Sequence, residues 1–278
     1  MKWCIVADSS CDLKELDTKS ENIEFKNVPF IISIDGKDYV DTTELDVEEM
    51  VDKMEAYSKA SLTSCPSPQT WFDCFKEADF SIAITISANV SGSYNSAMTA
   101  KTMIEEQYKD KKVYVLDSKS AGSVLCMYAE KLVELINKGL GFKEVVSEIE
   151  KYKAKRHTIF ALSSFSNLVK NGRVGKIAGF LARILKMWGI GVNTNEGKIA
   201  VKKKTRGEKN VLSAFVDDMQ QNKFDDDYVV ISHCQNIELA TKFKNLLTSI
   251  WSKIKVKILP TRGLCSFYAE RKGLIVGY

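Results

Sequence analysis

Short β-branched runs alternate with longer amphipathic ones along almost the whole chain, and nothing else in the sequence limits its possible folds as tightly. Residues 3–7 form a continuous apolar run of strand length, stopped by Asp8-Ser9-Ser10. Residues 28–34 read as a second strand, and Asp35-Gly36 turns the chain into residues 37–40. Over residues 46–58, Val47, Met50, Val51 and Met54 form a helical stripe. Strands are then predicted at 80–86 and 112–116, and helices at 91–107, 122–137 and 142–153. Strands separated by helices pair in parallel, because a parallel connection needs a crossover about as long as a helix. The pattern restarts after residue 155. It predicts strands at 158–162, 228–232, 255–259 and 274–276, and helices at 165–170, 177–185, 208–220 and 238–250. Residues 189–192 and 198–203 read as a hairpin across Asn195-Glu196-Gly197. The fold class expected is therefore α/β, with two α/β domains at residues 1–155 and 156–278. Both would have parallel-rich sheets covered by helices.

The chain's 278 residues, 45% of them hydrophobic, are enough for two such cores. A net charge of +4 is too small a bias to point to nucleic acid. The lysine runs at 109–112 and 202–204 read as solvated faces or strand edges. The seven cysteines contain no Cys-x-x-Cys pair and no zinc spacing with histidine, which fits a reducing compartment. The first apolar run is too short for a signal peptide, and no run reaches membrane-spanning length. A cytoplasmic location is expected, where the sequon Asn89-Val90-Ser91 has no consequence.

Two stretches place small hydroxyls where a loop passes into a helix: Thr63-Ser64-Cys65-Pro66-Ser67-Pro68 and Ser91-Gly92-Ser93-Tyr94. Helix N-termini carry unpaired N–H groups and partial positive charge, so two of them could seat one small anion. Gly92 would let that ligand approach the backbone. The plainer reading of each stretch is an ordinary capped turn. Asn171-Gly172-Arg173 ends a short helix with a C-cap turn, and Arg173 and Arg206 are candidate guanidinium partners for a carboxylate or a partner surface. Catalytic motifs are missing. Ser91 is not in a Gly-x-Ser-x-Gly elbow, and there is neither a phosphate-binding P-loop nor a Gly-x-Gly-x-x-Gly turn. The two histidines, His157 and His233, are not tied to Ser91 by spacing. Asp8 and Asp117 end strands and read more simply as turn caps than as metal ligands. No metal site or cofactor is expected.

Taken in order, these stretches resemble the DegV family of bacterial fatty-acid-binding proteins, nearly end to end. Asp8-Ser9-Ser10-Cys11-Asp12 is similar to that family's opening signature. The stretches at 63–67 and 91–94 are similar to its Thr-Ser-Gln-Pro-Ser and Ser-Gly-Thr-Tyr motifs, and Val115-Leu116-Asp117-Ser118 and Asn171-Gly172-Arg173-Val174 also fit. The resemblance implies a long-chain fatty acid such as palmitate, stearate or oleate in an inter-domain tunnel, and a fatty-acid kinase as partner. It implies no enzymatic activity of the chain itself. It gives Thr63, Ser64, Ser91, Gly92 and Thr261 as carboxylate-binding residues, and Arg173, Arg206 and Arg262 as head-group or partner contacts. Thr261 would stand where the family's His-x-Gly-Pro-Gly motif has its histidine, and Gly189 where a Lys-Pro pair is common. Phe160, Phe165, Leu168, Ile184 and Met187 are candidate acyl-chain contacts. Two other readings remain open: an acyl hydrolase or transferase using Ser91, and a regulatory protein with a structural lipid.

Overall fold

The computed structural model describes residues 1–174, 187–225 and 227–278. The first apolar run forms β1 (Trp3–Asp8), fully buried because helices cover both of its faces. It lies between β2 (Ile23–Val28) and β6 (Phe80–Thr85), and β7 (Lys112–Asp117) completes a four-stranded sheet that is parallel throughout. The expected strand at 28–34 is divided at Pro29, which has no N–H to give to a ladder. Its second part, β3 (Ile31–Ile34), leaves the main sheet. It pairs antiparallel with β4 (Lys37–Val40) and β5 (Leu62–Ser64) in a separate three-stranded sheet. The predicted stripe becomes α1 (Val47–Ala56), capped by Asp46, and α2 (Pro68–Phe75) starts at the expected proline.

The later residues build a six-stranded sheet from β8 (Thr158–Leu162), β9 (Met187–Asn193), β10 (Ile199–Arg206), β11 (Tyr228–His233), β12 (Lys255–Pro260) and β13 (Leu274–Gly277). The strand order is β10-β9-β8-β13-β11-β12, and only the β11–β12 pairing is parallel. The β9–β10 hairpin and the return of the C-terminal strand between β8 and β11 impose antiparallel neighbours. The expected helix at 177–185 lies outside the described residues.

The two large sheets share a helix. α4 (Ser123–Asn137) packs on β1 and β6 on one side and on β11 and β13 on the other, so Val230 belongs to the same apolar cluster as Ile5 and Leu125. A further cluster joins β3 and α1 to β8, α6 (Ser166–Lys170) and α9 (Gly263–Ala269), and a cavity opens beside it.

Candidate functional site

The cavity encloses some 760 Å³ of non-protein space, counting its mouth, and its walls are mostly apolar. Apolar walls with a few polar groups are the character of a small-molecule pocket. Four polar residues from distant parts of the chain are among those that line it: Thr63, Ser91, Arg173 and Tyr268.

Local reasons put each of them there. Thr63 sits on β5, opposite Ile32, and its hydroxyl shares a 2.9 Å hydrogen bond with the Tyr268 hydroxyl of α9. Ser91 closes the turn from β6 into α3 (Ser93–Gln107), its N–H donating to the Ser87 carbonyl and its hydroxyl accepting from the Ser93 N–H at 3.3 Å. Gly92 is the N-cap and has no side chain with which to cap that helix. Cys65 lies directly against Gly92, where an added Cβ would stand 3.4 Å from its Sγ. The Ser96 hydroxyl ties this loop to α3 by donating to the Pro66 carbonyl. Arg173 follows a complete Schellman turn. Gly172, at φ +71°, donates to the Val169 carbonyl, and the Arg173 N–H donates to that of Leu168. The helix thus stops where the guanidinium reaches the cavity wall.

Beneath the mouth, the buried Asp8 carboxylate organises the β6–α3 turn. It accepts from the Ile86 N–H at 2.8 Å, from the Ser93 hydroxyl at 2.6 Å, and from both the N–H and the hydroxyl of Ser10. Burial pushes its pKa up, and those four donors pull it back. Burial likewise raises the Tyr268 phenol, against the Thr63 hydrogen bond and the Arg173 charge.

The structure separates the expected site residues into two groups. Thr63, Ser91, Arg173, Phe160 and Leu168 line one cavity. Ser64 is exposed on β5, and Gly92 contributes the helix start rather than a wall. The expected seat of two helix ends is one helix end and one strand, because Ser67 already caps α2 by accepting from the Thr70 N–H. Thr261 is off the wall. It is 4% exposed, its hydroxyl bonded to Ser266 Oγ at 2.7 Å and its N–H to the His233 carbonyl. Arg262 is not a head-group contact either. At 2% exposure it is paired with Asp41 at 3.7 Å and donates to the Leu13 and Asp41 carbonyls. Arg206 is exposed at the end of edge strand β10, away from the cavity wall. Met187 is half-buried but off the wall, Phe165 packs behind Phe160, and Ile184 lies outside the described residues. Gly189 pairs with Lys204 and Leu162 inside the sheet.

Tyr268 is, with Thr158 and Asn193, a polar wall residue that sequence reasoning missed. It lies on α9, a seven-residue helix with a nearly unbroken apolar sequence and no periodicity to announce it. The N-terminal N–H groups of that helix, from Gly263 and Leu264, are satisfied by the Asp41 carboxylate at 2.9 and 2.8 Å, 222 and 223 residues away.

No histidine or carboxylate among the described residues is hydrogen-bonded to Ser91. His233 Nδ1 accepts from the Asn236 N–H, and His157 stacks on Tyr278 with ring centroids 5.4 Å apart. Among the described residues no cluster of metal-ligating side chains occurs, and no helix is long and apolar enough to cross a membrane.

Comparison with known proteins gives one consistent result. The family model described as "Uncharacterised protein, DegV family" matches residues 2–276. A DegV domain-containing protein of Streptococcus gordonii is 37% identical over the whole of this chain and 99% of its own length. Among solved structures, the Streptococcus pneumoniae fatty acid kinase (Fak) B3 protein loaded with linoleic acid aligns with a TM-score of 0.97 at 37% identity, covering 100% of this chain and 99% of that one. A DegV family protein from Eubacterium eligens loaded with heptadecanoic acid aligns with a TM-score of 0.94 at 34% identity, covering 99% and 98% of the two chains.

Proposed function

Because the chain belongs to the DegV family, we propose that its cavity holds a long-chain fatty acid, with the carboxylate at the mouth and the tail along the apolar walls. One observation carries this reading: three hydroxyls, of Thr63, Ser91 and Tyr268, and the Arg173 guanidinium line an otherwise largely apolar cavity. A buried carboxylate without partners is costly, and these donors offset that cost. The tail supplies most of the affinity. At about 0.8 kcal/mol per buried methylene, a chain of ~16 carbons offers on the order of 12 kcal/mol before ordering and association costs.

The carrier reading is favoured over Ser91-dependent hydrolysis because a serine nucleophile needs an adjacent base, and no histidine or carboxylate among the described residues is hydrogen-bonded to Ser91. The structural likeness to a fatty acid kinase B3 protein supports a kinase as the partner that receives the presented carboxylate. A cytoplasmic location and a division of the chain near residue 155 belong to the same proposal.

Native mass spectrometry of the purified protein, with extraction of its contents, tests it. A fatty acid at near one per chain is expected. A bare protein that also refuses added palmitic acid would overturn the reading.

A further inference from the structure

The turn that carries Ser91 is gripped from both large sheets. On its own side, Asp8 holds the Ile86 N–H at 2.8 Å and the Asp117 carboxylate holds the Ala88 N–H at 3.1 Å. From the other sheet comes the tip of the β9–β10 hairpin. The buried Ser87 hydroxyl donates to the Gly197 carbonyl at 2.8 Å, and the exposed Asn89 carboxamide donates to the Glu196 carbonyl at 2.6 Å. The fit is close. Gly197 has φ +83°, and an added Cβ would lie 2.3 Å from Ser87 Oγ and 2.9 Å from Lys119 Cα, which glycine alone avoids.

Both hydrogen bonds lead on to Ser91. The Ser87 carbonyl accepts from the Ser91 N–H at 3.2 Å, and the Ser87 hydroxyl accepts from the Asn89 N–H at the same distance. The hairpin also belongs to the cavity. Asn193, at the end of β9, and Ile199, at the start of β10, pair with each other and line it together with Ser91. Ser87 and Asn89 are not wall residues. The hairpin is therefore fastened to the Ser91 turn at its tip and forms cavity wall at its base.

Resting on the fatty-acid reading, we propose that Ser87 and Asn89 are positioning residues: by clasping the hairpin tip they hold Ser91 where its hydroxyl meets the ligand carboxylate. A hydrogen bond weakens steeply once its partners are misaligned, so a binding group needs neighbours that lock it in place. Asp8 and Asp117 fix the turn to the first sheet only. The clasp is what ties it to the second sheet, which supplies β8, β9 and β10 to the cavity wall.

A double-mutant cycle on palmitic acid affinity tests this, with the wild type, Asn89→Ala, Ser91→Ala and the double variant, and with urea midpoints measured alongside. Asn89→Ala is expected to weaken binding roughly five-fold, somewhat less than the loss of a whole charge-assisted hydrogen bond. The double variant should bind no more weakly than Ser91→Ala alone, because Asn89 acts through Ser91. A merely structural role would instead weaken binding by the same factor whether or not the Ser91 hydroxyl is present. That additive outcome overturns the proposal, as does an Asn89→Ala protein with wild-type affinity, and either leaves the fatty-acid reading standing. Should Asn89→Ala fail to fold, Ser87→Ala, which removes the other hydrogen bond of the clasp, takes its place in the cycle. A wild type that does not bind palmitic acid overturns the fatty-acid reading and this proposal together.

Discussion

Two polar clusters lie at the junction of the sheets, and they are built on opposite principles. At the cavity mouth, Thr63, Ser91, Tyr268 and Arg173 present neutral donors and one cation toward open space. In the second cluster Asp12, Asp41 and Arg262 form a buried knot: Asp12 accepts from the Arg262 N–H at 2.9 Å, Asp41 pairs with the Arg262 guanidinium, and Asp41 also holds the start of α9. The knot is buried to within 2%. The knot's groups are buried away from the cavity and bridge separate elements, whereas the mouth's groups line the cavity. From sequence, Arg262 and Arg173 look alike. Only their partners distinguish a strut from a contact.

Substitutions should separate the two clusters sharply. Arg262→Ala leaves the buried Asp41 carboxylate without its cation and is expected to cost about 3–5 kcal/mol, seen as a large fall in the urea midpoint. A stability loss near zero, with fatty-acid binding impaired, would make Arg262 a site residue after all. Gly263→Ala should cost about 1–3 kcal/mol, since its Cβ would lie 2.7 Å from Leu45 Cδ2 and 2.8 Å from the fixed Asp41 carboxylate carbon. Ser91→Ala should leave the melting temperature nearly unchanged yet weaken fatty-acid affinity roughly ten-fold, as one charge-assisted hydrogen bond is lost. Equal retention of ligand by a folded Ser91→Ala protein would remove Ser91 from the site. Arg206→Ala, exposed and off the wall, should change stability by less than about 0.5 kcal/mol and leave ligand affinity unaltered.

The knot also has a pH signature. Burial pushes the Asp12 carboxyl up to about 6 from its ordinary 3.8. A raised carboxyl pKa stabilises the folded state most where the group is protonated in that state, so the contribution is full below about pH 4 and is lost as pH rises through about 6. Urea unfolding across that window should show the wild type losing more stability than Asp12→Asn. Parallel curves would show that Asp12 stays ionised throughout.

Much of this molecule was legible beforehand. The alternation of apolar runs predicted the parallel sheet from β1, β6 and β7, and the Ser67-Pro68 start of α2 and the Gly172 turn before Arg173 were readable from local backbone chemistry. The stretches around Thr63 and Ser91 resembled the family to which the chain belongs. These features depend on residues within a few positions of one another, and a linear chain records such information directly. The rest depended on encounters across long separations. Tyr268 reaches Thr63 over 205 positions, and Arg262 reaches Asp12 over 250. Burial then decided which polar groups satisfied each other and which remained facing the cavity. The sequence alone determined the elements and the candidate hydroxyls. The tertiary structure decided their partners, because the free energy of a polar group is set by what surrounds it after folding and not by its neighbours along the chain.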